Sequence, residues 1–295
     1  MGYGPTMAID IGRRSAQKRQ ATVKTLAEIR AAILDFSRDL DPASRYVREL
    51  LEIADASADA VDFEARLDRG CRGQWHAGAE VFADMPLADK IRTNLVTSET
   101  ALFRFTEGEI QAVERHLFPQ LAGGTVRILV VPCSHGEEAF TLAAFFLKRG
   151  VDFRIRAFDL LPALVEEARS GRLTFGYPLE HLRQPGFVAG DVLERIEFGV
   201  GDAFNLPLGP PCRGDPFELV VCRNFLGYFV PEKAAGLARD LAGRVAPGGA
   251  LFLDSFCLAK TPGIARALGE AGLARFEGRA VFCRSGRPGQ PGHSA

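Results

Sequence analysis

The sequence has no apolar run long enough to span a bilayer, no hydrophobic signal core near its N-terminus, and no excess of charge of either sign. A spanning helix needs about 20 consecutive apolar residues, so none is expected. The stretch from Asp10 to Lys24 is polar and contains Arg and Lys, which does not fit a secretory leader. A formal net charge of -1 gives no overall attraction to nucleic acid or to direct insertion in anionic membrane. The six cysteines (Cys71, Cys133, Cys212, Cys222, Cys257 and Cys283) are widely spaced without a CxxC pair. Neither a zinc site nor a disulfide framework is expected, and the thiols read as reduced and buried in a cytoplasmic protein. There is also no internal repeat and no GxGxxG dinucleotide fingerprint.

What is present is a 295-residue chain, 47% hydrophobic and 25% charged, enough for one large domain and a smaller one. Residues 1–24 and 285–295 lack periodic apolar positions and read as disordered ends. Leu26, Ile29, Ile33, Phe36 and Leu40 recur at helical spacing. Asp41-Pro42 breaks that pattern before Tyr46, Val47, Leu50 and Leu51 resume it. A third amphipathic stretch holds Val61, Phe63 and Leu67, and Pro86 opens another helix, LADKIRTNLV. These define a helical N-terminal domain over 25–92, with the boundary between Pro86 and Phe105 and a second domain over 93–284.

In the second domain, Thr106 and Glu109 have the spacing of a capping box and Phe105 can staple against Ile110, starting a helix that runs to about Leu121. Strand-like runs then alternate with helical ones: VRILVV, FRIRAFD, IEFGV, FELVVC and ALFLDSF. Such alternation with apolar strands predicts a mostly parallel sheet covered on both faces. LARFEG and RAVFCR flank Gly278 as a closing antiparallel hairpin.

In open α/β sheets ligands bind at the carboxyl ends of the strands, and polar residues gather there in this chain. After the first strand, CSHGEEAF turns at Gly136 into a helix. Ser134 and Glu137 are spaced as a capping box, leaving Glu138 to face a ligand. The second strand ends on Asp159, which can accept the hydroxyl protons of a ribose or simply cap the helix before Pro162. Gly201-Asp202-Ala203 after the third strand suits an adenine contact or an ordinary turn. The fourth gives CRNFLGYF, where Arg223 and Asn224 at a buried strand's end need partners. A ligand or a structural salt bridge would supply them. Upstream, Thr100 and Arg104 share a face if TSETALFRF is helical.

TSETALFR, CSHGEEAF, the Asp159 strand end followed by ARSG, and CRNFLGYF followed by APGGALFL together resemble the ordered motifs of the CheR-type chemotaxis receptor methyltransferases, from about Thr93 to Ser255. The resemblance implies a Rossmann-like class I S-adenosylmethionine-dependent methyltransferase fold, α/β, with a small N-terminal helical domain. It implies S-adenosyl-L-methionine as cofactor, S-adenosyl-L-homocysteine as product, no metal, and a glutamate of a receptor's cytoplasmic domain as acceptor. Carried to matching positions, Ser98, Thr100 and Arg104 would approach the cofactor, Glu138 and Asp159 would hold its amino-acid end and ribose, Asp202 and Ala203 would flank adenine, and Arg223 and Asn224 would close the pocket. Arg104 and Tyr228 would align acceptor and cofactor for catalysis.

Five positions depart from the family pattern. Ser98 and Asp202 stand where Asn is usual, Phe105 where an acid is common, and Asp254-Ser255-Phe256 where His-Ser-Glu is usual. The family's receptor-docking insertion would fall between Gly171 and Ile196, a short stretch broken by Gly176, Pro178, Pro185 and Gly186, so a full module is not expected. Two alternatives stand beside receptor methylation: a methyltransferase for another protein or small molecule, and a regulatory homologue that binds cofactor without catalysis.

Overall fold

The computed structural model describes residues 23–41, 44–71, 86–95, 107–120, 124–171, 189–206 and 216–286. The chain begins with helices α1 (Leu26–Phe36), α2 (Arg45–Ala56), α3 (Ala60–Cys71) and α4 (Leu87–Leu95). Thr25 starts α1 through a reciprocal capping box: Glu28 N donates to its Oγ1 at 3.2 Å, and its own N–H donates to Glu28 Oε2 at 3.0 Å. Ile29, Ile33, Leu50, Phe63, Leu67 and Ile91 form the core of this layer. Val61 does not join them and is 77% exposed. Residues two apart lie about 200° around a helix, so once Phe63 faces the core Val61 must face water. Lys90 is buried on α4 and donates to Glu64 (2.7 Å) and Asp68 (3.0 Å) of α3, which locks the two helices together.

Helix α5 (Glu107–Leu117) leads into β1 (Val126–Val130), α6 (Glu137–Lys148), β2 (Phe153–Asp159), α7 (Pro162–Arg169), α8 (Ala189–Leu193), β3 (Ile196–Val200) and β4 (Phe217–Val221). There follow α9 (Pro231–Ala242), β5 (Val245–Phe252), α10 (Ser255–Lys260), α11 (Gly263–Glu270), β6 (Leu273–Arg275) and β7 (Val281–Arg284). Thr106, the expected cap of α5, lies outside the described residues. The strands form one sheet in the order β3-β2-β1-β4-β5-β7-β6. β1 to β5 are parallel, β7 runs antiparallel to β5, and β6 antiparallel to β7. The expected parallel sheet and closing hairpin are therefore present.

The pleat of the strands divides the core in two. Ile128 and Val130 of β1 face Phe140 and Phe146 of α6, together with Val113 of α5 and Val165 of α7. Leu129 and Val131 face Leu237 and Leu241 of α9 and Leu268 of α11. Chain order reverses between β1 and β4, so the connections after these two neighbours leave toward opposite faces and open a crevice at their carboxyl ends.

The helical layer is joined to this edge. Asp41 N donates to Tyr228 O (2.8 Å), Val230 N donates to Asp39 O (2.9 Å), and Leu40 bridges Phe229. Lys233 of α9 pairs with Asp39 at 3.0 Å. Among the described residues no helix is long and apolar enough to cross a membrane.

The β4–β5 pairing fixes one glycine. A Cβ on Gly249 would lie 2.8 Å from Glu218 O and 3.0 Å from Ala246 O, beside the register shift between Phe217 and Leu219. Backbone cannot yield as a side chain can. Gly249→Ala should lower unfolding free energy by about 1–3 kcal/mol in a chemical denaturation series, whereas Gly236→Ala, with open space at the added Cβ, should not.

Candidate functional site

The crevice is built by turns that follow the strands. After β1 the chain needs two left-handed residues, Ser134 (φ 49°) and Gly136 (φ 91°), before α6 begins. At Gly136 a Cβ would press on Phe140 at 2.9 Å and on Ala168 Cβ at 3.1 Å, so only glycine fits. The expected Ser134–Glu137 capping box does not form. Gly136 is the N-cap, and no side chain caps the helix. The turn instead directs Ser134 N to Asp159 Oδ2 (2.8 Å), leaving Ser134 Oγ buried without a hydrogen-bond partner.

Asp159 therefore does more than end β2. Its second oxygen, Oδ1, accepts from Leu161 N at 3.1 Å, and its backbone carbonyl accepts from Gly201 N at 2.8 Å. Leu161, not Asp159, occupies the N-cap position of α7. Burial raises the Asp159 carboxyl above the usual aspartate range, and the Leu161 and Ser134 amides oppose that shift. Beside it His135 is buried, with Nδ1 2.8 Å from Glu167 Oε2. Burial alone would lower the His135 value; the Glu167 hydrogen bond and surrounding carboxylates overcome it and raise it.

Glu138 and Arg223 are brought together, with Nη1 3.4 Å from Oε1. Arg223 Nη2 is also 3.9 Å from Glu109 Oε2 of α5, and its guanidinium lies 5.3 Å from the Phe252 ring centroid. The salt bridge considered for Arg223 thus exists, and one partner is another expected site residue. Asn224 is left-handed (φ 50°), and its N–H donates to Asp254 Oδ2 at 2.6 Å. Asp202 is exposed and forms a turn: its Oδ1 accepts from Phe204 N (3.0 Å) and its carbonyl from Asn205 N (2.8 Å). Ala203 is buried behind it. Leu160 and Val200, at the ends of β2 and β3, are 46% and 44% exposed and leave an apolar rim.

Tyr228 belongs to a short 3₁₀ turn, Leu226–Tyr228, after β4. Its ring lies 6.4 Å from Tyr46 of α2 and 5.5 Å from Phe256 of α10. Ser98, Thr100 and Arg104 lie outside the described residues, as do residues 172–188 of the expected docking insertion. Sequence reasoning missed the anchoring roles of Asp254, Glu167 and Glu109. Only the break of ALFLDSF from apolar to acidic at Asp254 was a visible signal.

Cys133, Cys222, Cys257 and Cys283 offer no nucleophile. Burial pushes Cys257 and Cys283 up to about 12 and raises Cys133 and Cys222 well above the ordinary thiol range. Among the described residues no group of three or more His, Cys, Asp or Glu is arranged to hold a metal.

A seven-stranded sheet of this order, with its polar cluster at the β1, β2 and β4 ends, defines a class I S-adenosylmethionine-dependent methyltransferase fold. Residues 98–255, more than half of the chain, match the family model described as "CheR methyltransferase, SAM binding domain". The chain belongs to the CheR methyltransferase family. It is 30% identical over 196 residues to "Chemotaxis protein methyltransferase 1" of Pseudomonas aeruginosa, covering 57% of this chain and 69% of that one. It is 29% identical over 176 residues to "Probable biofilm formation methyltransferase WspC" of the same organism, covering 54% of this chain. A 104.1 kDa protein of Rhodobacter capsulatus matches at 29% over 184 residues. The matches span only 41% of WspC and 19% of the Rhodobacter protein.

The described residues suit S-adenosylmethionine. Buried Glu138 would match its ammonium charge, and the remaining acceptor capacity of Asp159 would take its hydroxyls. The unpartnered Ser134 Oγ would supply a further polar contact, and Leu160 with Val200 an apolar face for a base.

The His135–Glu167 pair has a pH signature. Because the folded His135 value is raised, the stabilisation it gives is complete below the ordinary histidine value, about pH 6.5, and is lost as pH rises through the folded value. The melting temperature of the unaltered protein should exceed that of His135→Gln by a few degrees near pH 6. That gap should narrow as pH rises through the folded value in a calorimetric pH series.

Proposed function

We propose that the chain transfers a methyl group from S-adenosylmethionine to a glutamate carboxylate on the cytoplasmic domain of a chemotaxis-type receptor, acting in the cytoplasm. The observation that carries this reading is the meeting, on one sheet edge, of the buried acids Glu138 and Asp159 with the strand end bearing Arg223, Asn224 and Tyr228. The name of the Pseudomonas chemotaxis methyltransferase supports the choice of acceptor.

S-adenosylmethionine supplies an electrophilic methyl on a sulfonium. A glutamate acceptor is already ionised at neutral pH, so the protein has to align it and need not deprotonate it. Asp159 holds the ribose hydroxyls and Glu138 the amino-acid end, exchanging part of its pairing with Arg223. Asp202 and Ala203 border adenine from the turn after β3. Arg223 and Asn224 close the pocket from β4, while Ser98, Thr100 and Arg104 reach it from the start of the methyltransferase unit (93–284), just after the helical unit (25–92). Arg104 and Tyr228 orient the acceptor carboxylate.

The expected result with labelled S-adenosylmethionine and a receptor cytoplasmic domain is incorporation that mild alkali releases as methanol. Base-stable label would exclude a carboxyl ester. S-adenosylhomocysteine should raise the melting temperature, as a ligand selective for the folded state must, and Asp159→Ala should abolish that shift. Tyr228→Phe should retain the shift and lower kcat by about 10- to 100-fold.

A further inference from the structure

Phe256 lies where the turn after β5 meets the Tyr228 loop, and none of the roles above uses it. The residue is 38% exposed, in the helix that follows the carboxyl end of β5. The turn that presents it is held firmly: Asp254 caps α10 by accepting from Cys257 N at 2.8 Å, and its other oxygen accepts from Asn224 N at 2.6 Å. The ring is pressed onto Gly227, where a Cβ would come within 2.7 Å of Phe256 Cε1. A side chain at position 227 would displace it.

Tyr228 is thereby flanked by two aromatic rings from separate elements, Tyr46 of the helical layer and Phe256 of α10. Its backbone is fixed independently, since its carbonyl accepts from Asp41 N and its N–H donates to Phe225 O at 3.1 Å. The backbone bonds do not set the side-chain torsions, which the flanking rings restrict.

We propose that Phe256 is a positioning residue for methyl transfer: it holds the Tyr228 ring at the acceptor side of the crevice, with Tyr46 as the second flank. This rests on the alignment role given to Tyr228 above. Phe256 acts through the tyrosine and not on the cofactor, so its loss affects turnover and leaves cofactor binding in place.

The test uses the full chain with Phe256→Ala and Phe256→Tyr, each alone and combined with Tyr228→Phe. Phe256→Ala should lower kcat about tenfold or more, with the S-adenosylhomocysteine melting shift kept and Phe256→Tyr restoring turnover. In the Tyr228→Phe background the same change should cost less than about twofold, because residues acting through one another are not additive. An unchanged kcat, or an equal loss in both backgrounds, overturns the proposal. An activity-independent readout is fluorine NMR of protein labelled with 3-fluorotyrosine, the Tyr228 signal being identified by its loss in Tyr228→Phe. That signal should shift in Phe256→Ala and stay near its original position in Phe256→Tyr; a signal unmoved in Phe256→Ala also overturns the proposal. Failure of the unaltered protein to bind S-adenosylhomocysteine or transfer methyl would reject the enzymatic reading instead, and with it this role, whatever the fluorine signal shows of the ring contact. Gly227→Ala, which displaces the ring without removing it, should reproduce the loss of turnover if Phe256→Ala folds poorly, and unchanged turnover in it overturns the proposal.

Discussion

The buried carboxylate of Asp159 is the constraint on which this sheet edge depends. It takes an N–H from the turn after β1 and another from the turn after β2, while its own carbonyl takes one from the turn after β3. A carboxylate this deeply buried costs several kcal/mol if left without partners, and each hydrogen bond to the charged group returns about 1.5–3 kcal/mol. The turn after β1 therefore adopts whatever backbone delivers Ser134 N to that oxygen, including two left-handed residues in three. The shape of the crevice follows from satisfying one acid.

Asp254 has a comparable position on the other side of the switch point. It joins the end of β4 to the end of β5 by accepting from left-handed Asn224 and from Cys257, the third residue of α10. Two buried aspartates thus each hold a non-glycine left-handed residue, Ser134 on one side and Asn224 on the other. Strain of this kind persists where surrounding contacts over-determine the backbone, and it is concentrated at binding crevices. Between these anchors, Arg223 joins Glu138 of α6 to Glu109 of α5, so the strand end of β4 is tied to both helices.

The Tyr228 side of the crevice is assembled from separate parts of the chain. The 39–41 segment of the helical layer makes two backbone hydrogen bonds to the Tyr228 loop, reinforced by the Asp39–Lys233 pair. Lys233 also lies 4.8 Å from the Phe204 ring centroid, and Phe204 packs edge-on against Phe229 at 5.2 Å. The helical layer, the turn bordering Asp202 and the tyrosine loop therefore share one continuous set of contacts. A displacement of the layer would be felt at Tyr228.

The strands were legible from residues alone because a parallel strand buried on both faces must be apolar almost throughout, as VRILV and FELVV are. The polar residues that interrupt such runs marked the carboxyl edge of the sheet, and the ordered motifs named the family. Spacing alone misplaced two local features. Ser134 and Glu137 have capping-box spacing, yet Asp159 draws the Ser134 amide and the helix starts at Glu137. Val61 reads as apolar beside Phe63, yet a helix cannot turn both to the core. The Arg223–Glu138 pair joins residues 85 positions apart, and the tilted ring contacts of Tyr228 with Tyr46 and Phe256 join three elements. The sequence by itself determined the order of strands and helices and which strand ends carry polar chemistry, because burial and periodicity act locally. Only the tertiary structure decided which of those polar groups pair with each other, because ion pairs and ring contacts depend on distances that the folded sheet sets and chain spacing does not.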